Sequence, residues 1–135
     1  MLRNITVVGT GLIGASVALA ARRAGASVRG WDPDPDILRI AHGKDAVEPA
    51  ATLAEAIEGA DLVVVAAPVA ELPHAVRDVL ELAAACCVVT DVGSTKSAVC
   101  AAAGGDGRCV GGHPICGAET RGPERADAEL FAGAT

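Results

Sequence analysis

The chain has 135 residues, 51% of them hydrophobic, enough for one domain with a sizeable core. Alanine and valine dominate that share; one Trp, one Phe, no Tyr and a net charge of −6 argue against nucleic acid as a partner. No apolar run of about 18 residues is available to span a membrane, and Met1-Leu2-Arg3 leads straight into a strand, which leaves no room for a signal peptide.

The first strand is Ile5 to Val8, and it runs into Gly9-Thr10-Gly11-Leu12-Ile13-Gly14. In a G-x-G-x-x-G turn between strand and helix, Gly9 allows the tight bend and Gly11 lets backbone approach a pyrophosphate. Gly14 lets the helix pack closely on the strand. The helix N-terminus then offers free N–H donors and partial positive charge to the phosphates. That helix is expected from about Leu12 to Ala24, with Ile13, Val17, Ala20, Ala21 and Ala24 facing the sheet and Gly25 ending it. A second strand, Ser27 to Trp31, delivers Asp32 about 20 residues after the glycines, where a carboxylate accepts hydrogen bonds from an adenosine ribose and repels a 2′-phosphate. No basic residue follows closely, so the expected cofactor is NAD rather than NADP. Asp34, Pro35 and Asp36 read as N-cap, first helical residue and first turn of the next helix.

A short helix through Ile40 leads to a brief third strand at Ala46-Val47-Glu48, and Thr52 with Glu55 forms a capping box. Leu62 to Ala67 is a continuous apolar run, as suits a strand buried on both faces, and Ala67 and Pro68 lie at its cofactor-side end. A helix from about Pro73 to Ala84 precedes a strand at Cys86 to Thr90. Asp91-Val92-Gly93-Ser94 then turns into a helix, and a last strand, Arg108 to Gly112, delivers His113. Strands alternating with helices under right-handed crossovers make a doubly wound, Rossmann-type α/β sheet, mainly parallel, with helices on both faces. Residues 1–135 form one NAD(P)-binding domain, and a sheet of this kind is expected to receive a further strand after them. Cys86, Cys87, Cys100, Cys109 and Cys116 lack metal-ligand spacing. They read as reduced thiols of a cytoplasmic protein with no metal site.

Ligands of such sheets bind beyond the carboxyl ends of the strands. Gly9, Gly11, Asp32, Pro68, Ser94 and His113 all fall there. His42 and His74 sit in helical surface patterns, whereas His113 stands between two glycines and a proline at a strand's end. A neutral imidazole there can take a proton from a substrate alcohol. Ser94 serves equally well by position as a substrate contact or as a helix N-cap.

Three segments carry a family resemblance. Gly9 to Ser16 is similar to the cofactor loop of prephenate and arogenate dehydrogenases. Asp91-Val92-Gly93-Ser94-Thr95-Lys96 resembles their D-V-G-S-x-K turn, and Gly111-Gly112-His113-Pro114-Ile115-Cys116-Gly117-Ala118-Glu119 resembles their G-G-H-P-x-x-G-x-E segment. Gly122 and Leu130-Phe131-Ala132-Gly133-Ala134 continue the pattern.

The resemblance implies the oxidative decarboxylation step of tyrosine biosynthesis. The cyclohexadienol of prephenate or arogenate passes hydride to NAD, the ring carboxylate leaves as CO2 and the ring becomes aromatic. His113 would deprotonate the ring hydroxyl, with Ser94 holding hydroxyl and imidazole in register. Gly117 and Glu119 would line the substrate side. Gly9, Thr10, Gly11, Leu12, Ile13, Gly14, Asp32, Ala67, Pro68, Gly93 and Ser94 would line the cofactor. The family often has Ser or Thr where this chain has Ala118. Its members are about twice as long and dimerise through a helical C-terminal domain that this sequence lacks, so residues 1–135 alone are expected to be inactive. Two other readings share the glycine turn: a 6-phosphogluconate or β-hydroxyacid type dehydrogenase, and a non-catalytic NAD-sensing module. The former is expected to use a lysine from its helical domain, and the latter has no need of a histidine facing a nicotinamide.

Overall fold

Among the described residues the elements are, in chain order, β1 (Asn4–Val8), α1 (Leu12–Arg23), β2 (Ser27–Trp31), α2 (Pro35–Gly43), β3 (Glu48–Pro49), α3 (Leu53–Ile57), β4 (Leu62–Val65), α4 (Leu72–Leu82), β5 (Val88–Asp91) and β6 (Cys109–Val110), with strands and helices alternating from β1 to β5. They come from a computed structural model that describes residues 3–68, 70–91 and 109–110, the last two by backbone alone. The strands join in the order β3-β2-β1-β4-β5-β6, and every pairing is parallel. This is the doubly wound, Rossmann-type sheet that the alternation implied. Its strand order reverses direction between β1 and β4, the position at which such sheets open a crevice for a ligand.

Because successive strand residues point to opposite faces, the valine runs feed two cores at once. Val7, Val28 and Val64 pack with Ala15 and Ala18 of α1 and Ala41 of α2. Val8, Val63, Val65 and Val89 pack on the other face with Ile57 of α3 and Leu72, Val76, Val79 and Leu80 of α4. The α4 stripe keeps helical spacing, so one side of that helix is buried while His74, Arg77 and Asp78 on it are exposed.

Helix α1 departs from the expected orientation. Its buried residues are Leu12, Gly14, Ala15, Ser16 and Ala18, whereas Ile13, Val17, Ala20 and Ala21 are only partly covered and Ala24 is exposed. Close approach decides this. A Cβ on Gly14 would lie 1.9 Å from the Gly9 carbonyl oxygen, so the helix sits on the strand through its smallest side chains. The helix ends as expected, in a Schellman motif: Gly25 has φ +99°, its N–H donates to the Arg22 carbonyl (3.0 Å), and the Ala26 N–H donates to the Ala21 carbonyl (3.0 Å).

The other local signals hold, with small shifts. Asp34 caps α2 by accepting from the Asp36 N–H at 3.0 Å, with Pro35 in the first turn, and the helix continues past Ile40 to Gly43. Thr52 accepts from the Glu55 N–H at 3.1 Å, while the Glu55 carboxylate accepts from the Ala51 N–H rather than from Thr52. The third strand is Glu48–Pro49, two residues past the expected start. Gly30 makes room for it: a Cβ there would lie 2.8 Å from the Val47 side chain. The Thr6 hydroxyl donates to the Ala56 carbonyl, and the Arg29 guanidinium donates to the Glu55 and Glu58 carbonyls, which fastens α3 to the sheet. Cys86 is exposed and Cys87 buried, and neither is in a disulfide among the described residues. Among the described residues no helix is long and apolar enough to cross a membrane.

At the opposite rim from the glycine turn, the Asp61 carboxylate accepts from the N–H groups of Asn4 and Arg3, each at 3.0 Å. Those backbone donors, Asn4 first and then Arg3, hold its pKa below the ordinary 3.8. A carboxyl with a depressed folded pKa stabilises the fold above its unfolded value, and that contribution is lost as pH falls through the folded value. Asp61→Asn should therefore melt at a lower temperature than the parent at pH 7, and the difference should shrink below pH 3.8. A gap that persists unchanged in acid, measured by thermal melts across the range, would remove Asp61 from that role.

Candidate nucleotide-binding site

The carboxyl ends of β1, β2, β4 and β5 lie side by side, because the register pairs Val8 with both Trp31 and Val65, and Val65 with Asp91. The turn after β1 is fixed on each side. The Gly9 N–H donates to the Trp31 carbonyl at 2.8 Å, and the Ala66 N–H donates to the Val8 carbonyl at 2.7 Å. Gly9 has φ +91°, and a Cβ there would lie 2.8 Å from the Ala66 carbonyl group. Only glycine satisfies both demands.

Gly11 has a different environment. Its φ is −73°, and an added Cβ would meet nothing within 4 Å. Nothing among the described residues requires glycine there, and the space it leaves lies directly at the N-terminus of α1. Among the described residues no side chain caps that terminus, and no acidic residue occupies its first turn. The first N–H groups of a helix have no intrahelical partner, so they are available to an anion, and the helix dipole favours one. The arrangement fits a pyrophosphate.

Asp32 closes the neighbouring strand tip. Its Oδ2 accepts from the Thr10 N–H at 2.8 Å and from the Thr10 hydroxyl at 3.3 Å, while its Oδ1 accepts from the Asp34 N–H at 2.8 Å. Asp32 is partly buried, and Thr10 is wholly so. An ionised carboxylate has about four acceptor positions, so three donors leave it capacity for an incoming hydroxyl.

Of the expected cofactor residues, Gly9, Thr10, Gly11, Leu12, Ile13, Gly14, Asp32, Ala67 and Pro68 lie around this one rim. Gly11 and Ile13 are partly open, Pro68 is exposed, and Gly9, Thr10, Leu12 and Gly14 are buried. Gly93, Ser94, His113, Gly117 and Glu119 lie outside the described residues. Sequence reasoning missed the bond between Thr10 and Asp32, whose only trace is a hydroxyl residue between the first two glycines. It also passed over Asp91, 1% exposed at the end of β5 on the same rim. His42, expected on a surface, is exposed and shares a hydrogen bond with the Val47 carbonyl at 3.1 Å through Nδ1.

Comparison with known proteins agrees with this geometry. The family profile described as "Prephenate dehydrogenase, nucleotide-binding domain" matches residues 17–135. The prephenate dehydrogenase of Lactococcus lactis subsp. cremoris is 28% identical over 98% of the chain, which spans 40% of that enzyme. The Aquifex aeolicus prephenate dehydrogenase, solved with hydroxyphenyl propionate and NAD+, superposes with a TM-score of 0.90 at 29% identity, covering 99% of this chain and 49% of that one. Synechocystis arogenate dehydrogenase gives 0.89 at 29% identity, with 97% and 48% covered. The chain therefore spans less than half the length of these relatives, and over that span it belongs to the prephenate dehydrogenase family as the nucleotide-binding domain.

Proposed function

We propose that the chain is the cofactor half of an NAD-dependent prephenate or arogenate dehydrogenase. The observation that carries this is the Asp32 carboxylate, held at the tip of β2 beside an uncapped helix N-terminus. A carboxylate in that place accepts from ribose hydroxyls and repels a 2′-phosphate. The α1 N–H groups and the space over Gly11 receive the pyrophosphate. NAD supplies the hydride acceptor when bound.

The chain's own residues also serve the proton transfer. His113 takes the proton of the substrate hydroxyl, and Ser94 orients that hydroxyl and the imidazole. Gly93 completes the cofactor rim, while Gly117 and Glu119 face the substrate. The support for these five is their match to the D-V-G-S-x-K and G-G-H-P-x-x-G-x-E segments together with the family membership. The substrate carboxylates, and pairing into a homodimer, fall to the part of the longer relatives that this chain does not span.

Calorimetric titration tests the cofactor assignment. NAD should bind the chain more tightly than NADP, and Asp32→Ala should erase that preference, chiefly by weakening NAD. If the unsubstituted chain prefers NADP, Asp32 has been misassigned.

A further inference from the structure

A carboxylate discriminates against a 2′-phosphate only while it stays in place. A free aspartate at a strand tip can rotate about two side-chain bonds and let the phosphate in. Asp32 does not have that freedom. Its two oxygens are held from opposite sides, Oδ1 by the Asp34 N–H and Oδ2 by the Thr10 N–H and hydroxyl. Two of those donors are backbone groups that any residue supplies. The third is a side chain, and it is 0% exposed. Thr10 thus has no surface from which to touch a nucleotide; whatever it does for cofactor choice, it does through Asp32.

We propose that Thr10 is the positioning residue that sets cofactor selectivity, its buried hydroxyl locking the Asp32 carboxylate in the ribose-accepting orientation. The idea rests on the ribose role given to Asp32 above. Its physical basis is convergence: the Thr10 N–H at 2.8 Å and the buried hydroxyl at 3.3 Å both meet Oδ2, so removing the hydroxyl leaves that oxygen a single donor from the turn. A β-branched side chain also has little χ1 freedom with which to release it. The hydroxyl takes one of the acceptor positions on Oδ2 and leaves the second position on Oδ1 for the ribose. Because Thr10 lies between Gly9 and Gly11, the same contact ties the glycine turn to the second strand. Phosphate subsite and ribose subsite are therefore set at one fixed spacing.

Thr10→Val keeps the branched shape and the backbone N–H but removes the hydroxyl; Thr10→Ser keeps the hydroxyl. Dissociation constants for NAD and NADP, measured on the unsubstituted chain, both Thr10 variants and Asp32→Ala, give four selectivity ratios. The ratio for Thr10→Val should fall about tenfold toward NADP, equivalent to about 1.4 kcal/mol, and Thr10→Ser should retain most of the original ratio. Amide hydrogen exchange at residue 10 should also quicken in Asp32→Ala, which loses the acceptor.

A merely structural Thr10 would lower the melting temperature and weaken both nucleotides by the same factor. If Asp32→Ala erases the preference while Thr10→Val leaves the ratio unchanged, the lock is overturned and the ribose assignment stands. If Asp32→Ala leaves the ratio unchanged, or the chain binds neither nucleotide, the ribose assignment falls and the lock with it.

Discussion

Gly14→Ala should unfold the glycine turn and lose nucleotide binding together, whereas Gly11→Ala should lose binding alone. A methyl group on Gly14 would lie 1.9 Å from the Gly9 carbonyl oxygen and 3.1 Å from a Val7 methyl. Neither neighbour can yield, since one is backbone and the other belongs to the core. Alanine favours a helix over glycine by about 1 kcal/mol. Overpacking typically costs ~1–3 kcal/mol, and a contact against main chain falls at or beyond the upper end. The clash wins, and a clear drop in melting temperature follows.

A methyl group on Gly11, with nothing within 4 Å and a φ of −73°, leaves the fold unstrained. It projects into the space assigned to the pyrophosphate. Thermal melts and NAD titrations on the two variants separate the effects. A Gly14→Ala chain as stable as the parent would mean that helix and turn are not packed as described. A Gly11→Ala chain that binds NAD normally would move the phosphates elsewhere.

The second large effect concerns His113. In a fusion of this chain to the remaining part of a longer relative, His113→Asn should slow single-turnover hydride transfer by ~10²–10⁴-fold, the usual contribution of a general base. The sign of the pH dependence follows from the role. A protonated imidazole cannot accept, so the parent rate should rise with pH as the imidazole loses its proton, and the variant should lose that rise. NAD affinity and melting temperature should stay near those of the parent fusion. A histidine that only packs at the strand end gives the reverse: a lower melting temperature with chemistry intact.

The elements bounded by their own local chemistry were legible from the sequence. Gly25, Asp34, Pro35 and Thr52 each act within a turn of where they stand, and the helix ends fall at or within a few residues of them. The buried face of α1 was not legible. In a helix so rich in alanine, neighbouring stripes differ little in hydrophobicity, and the choice is made by how closely Gly14 approaches the Gly9 carbonyl, a backbone contact that hydrophobic periodicity does not register. β3 was read early because two paired residues have no period to detect.

The site divides in the same way. The G-x-G-x-x-G turn and Asp32 could be placed because strand, turn and helix succeed one another along the chain. The bond from Thr10 to Asp32 could not, because it exists only once β1 and β2 lie in parallel register. His113 and Ser94 were assigned by resemblance to motifs, and periodicity has no bearing on their roles.

The central place of β1 also has a kinetic consequence. β1 gains β2 after a single helix, but it gains β4 only after β2, α2, β3 and α3 have been made. Closing the longer segment requires more chain entropy to be surrendered before any contact repays it, so β1–β2 pairing is expected to precede β1–β4 pairing during folding. Gly9 rests against Ala66 and Ala67, just past β4. The nucleotide turn consequently acquires its final shape only after β4 has joined β1, although its own residues lie well before β4 in the chain. A nascent chain stopped before Leu62 would contain every glycine of the turn and Asp32, yet have no wall for Gly9 to close against.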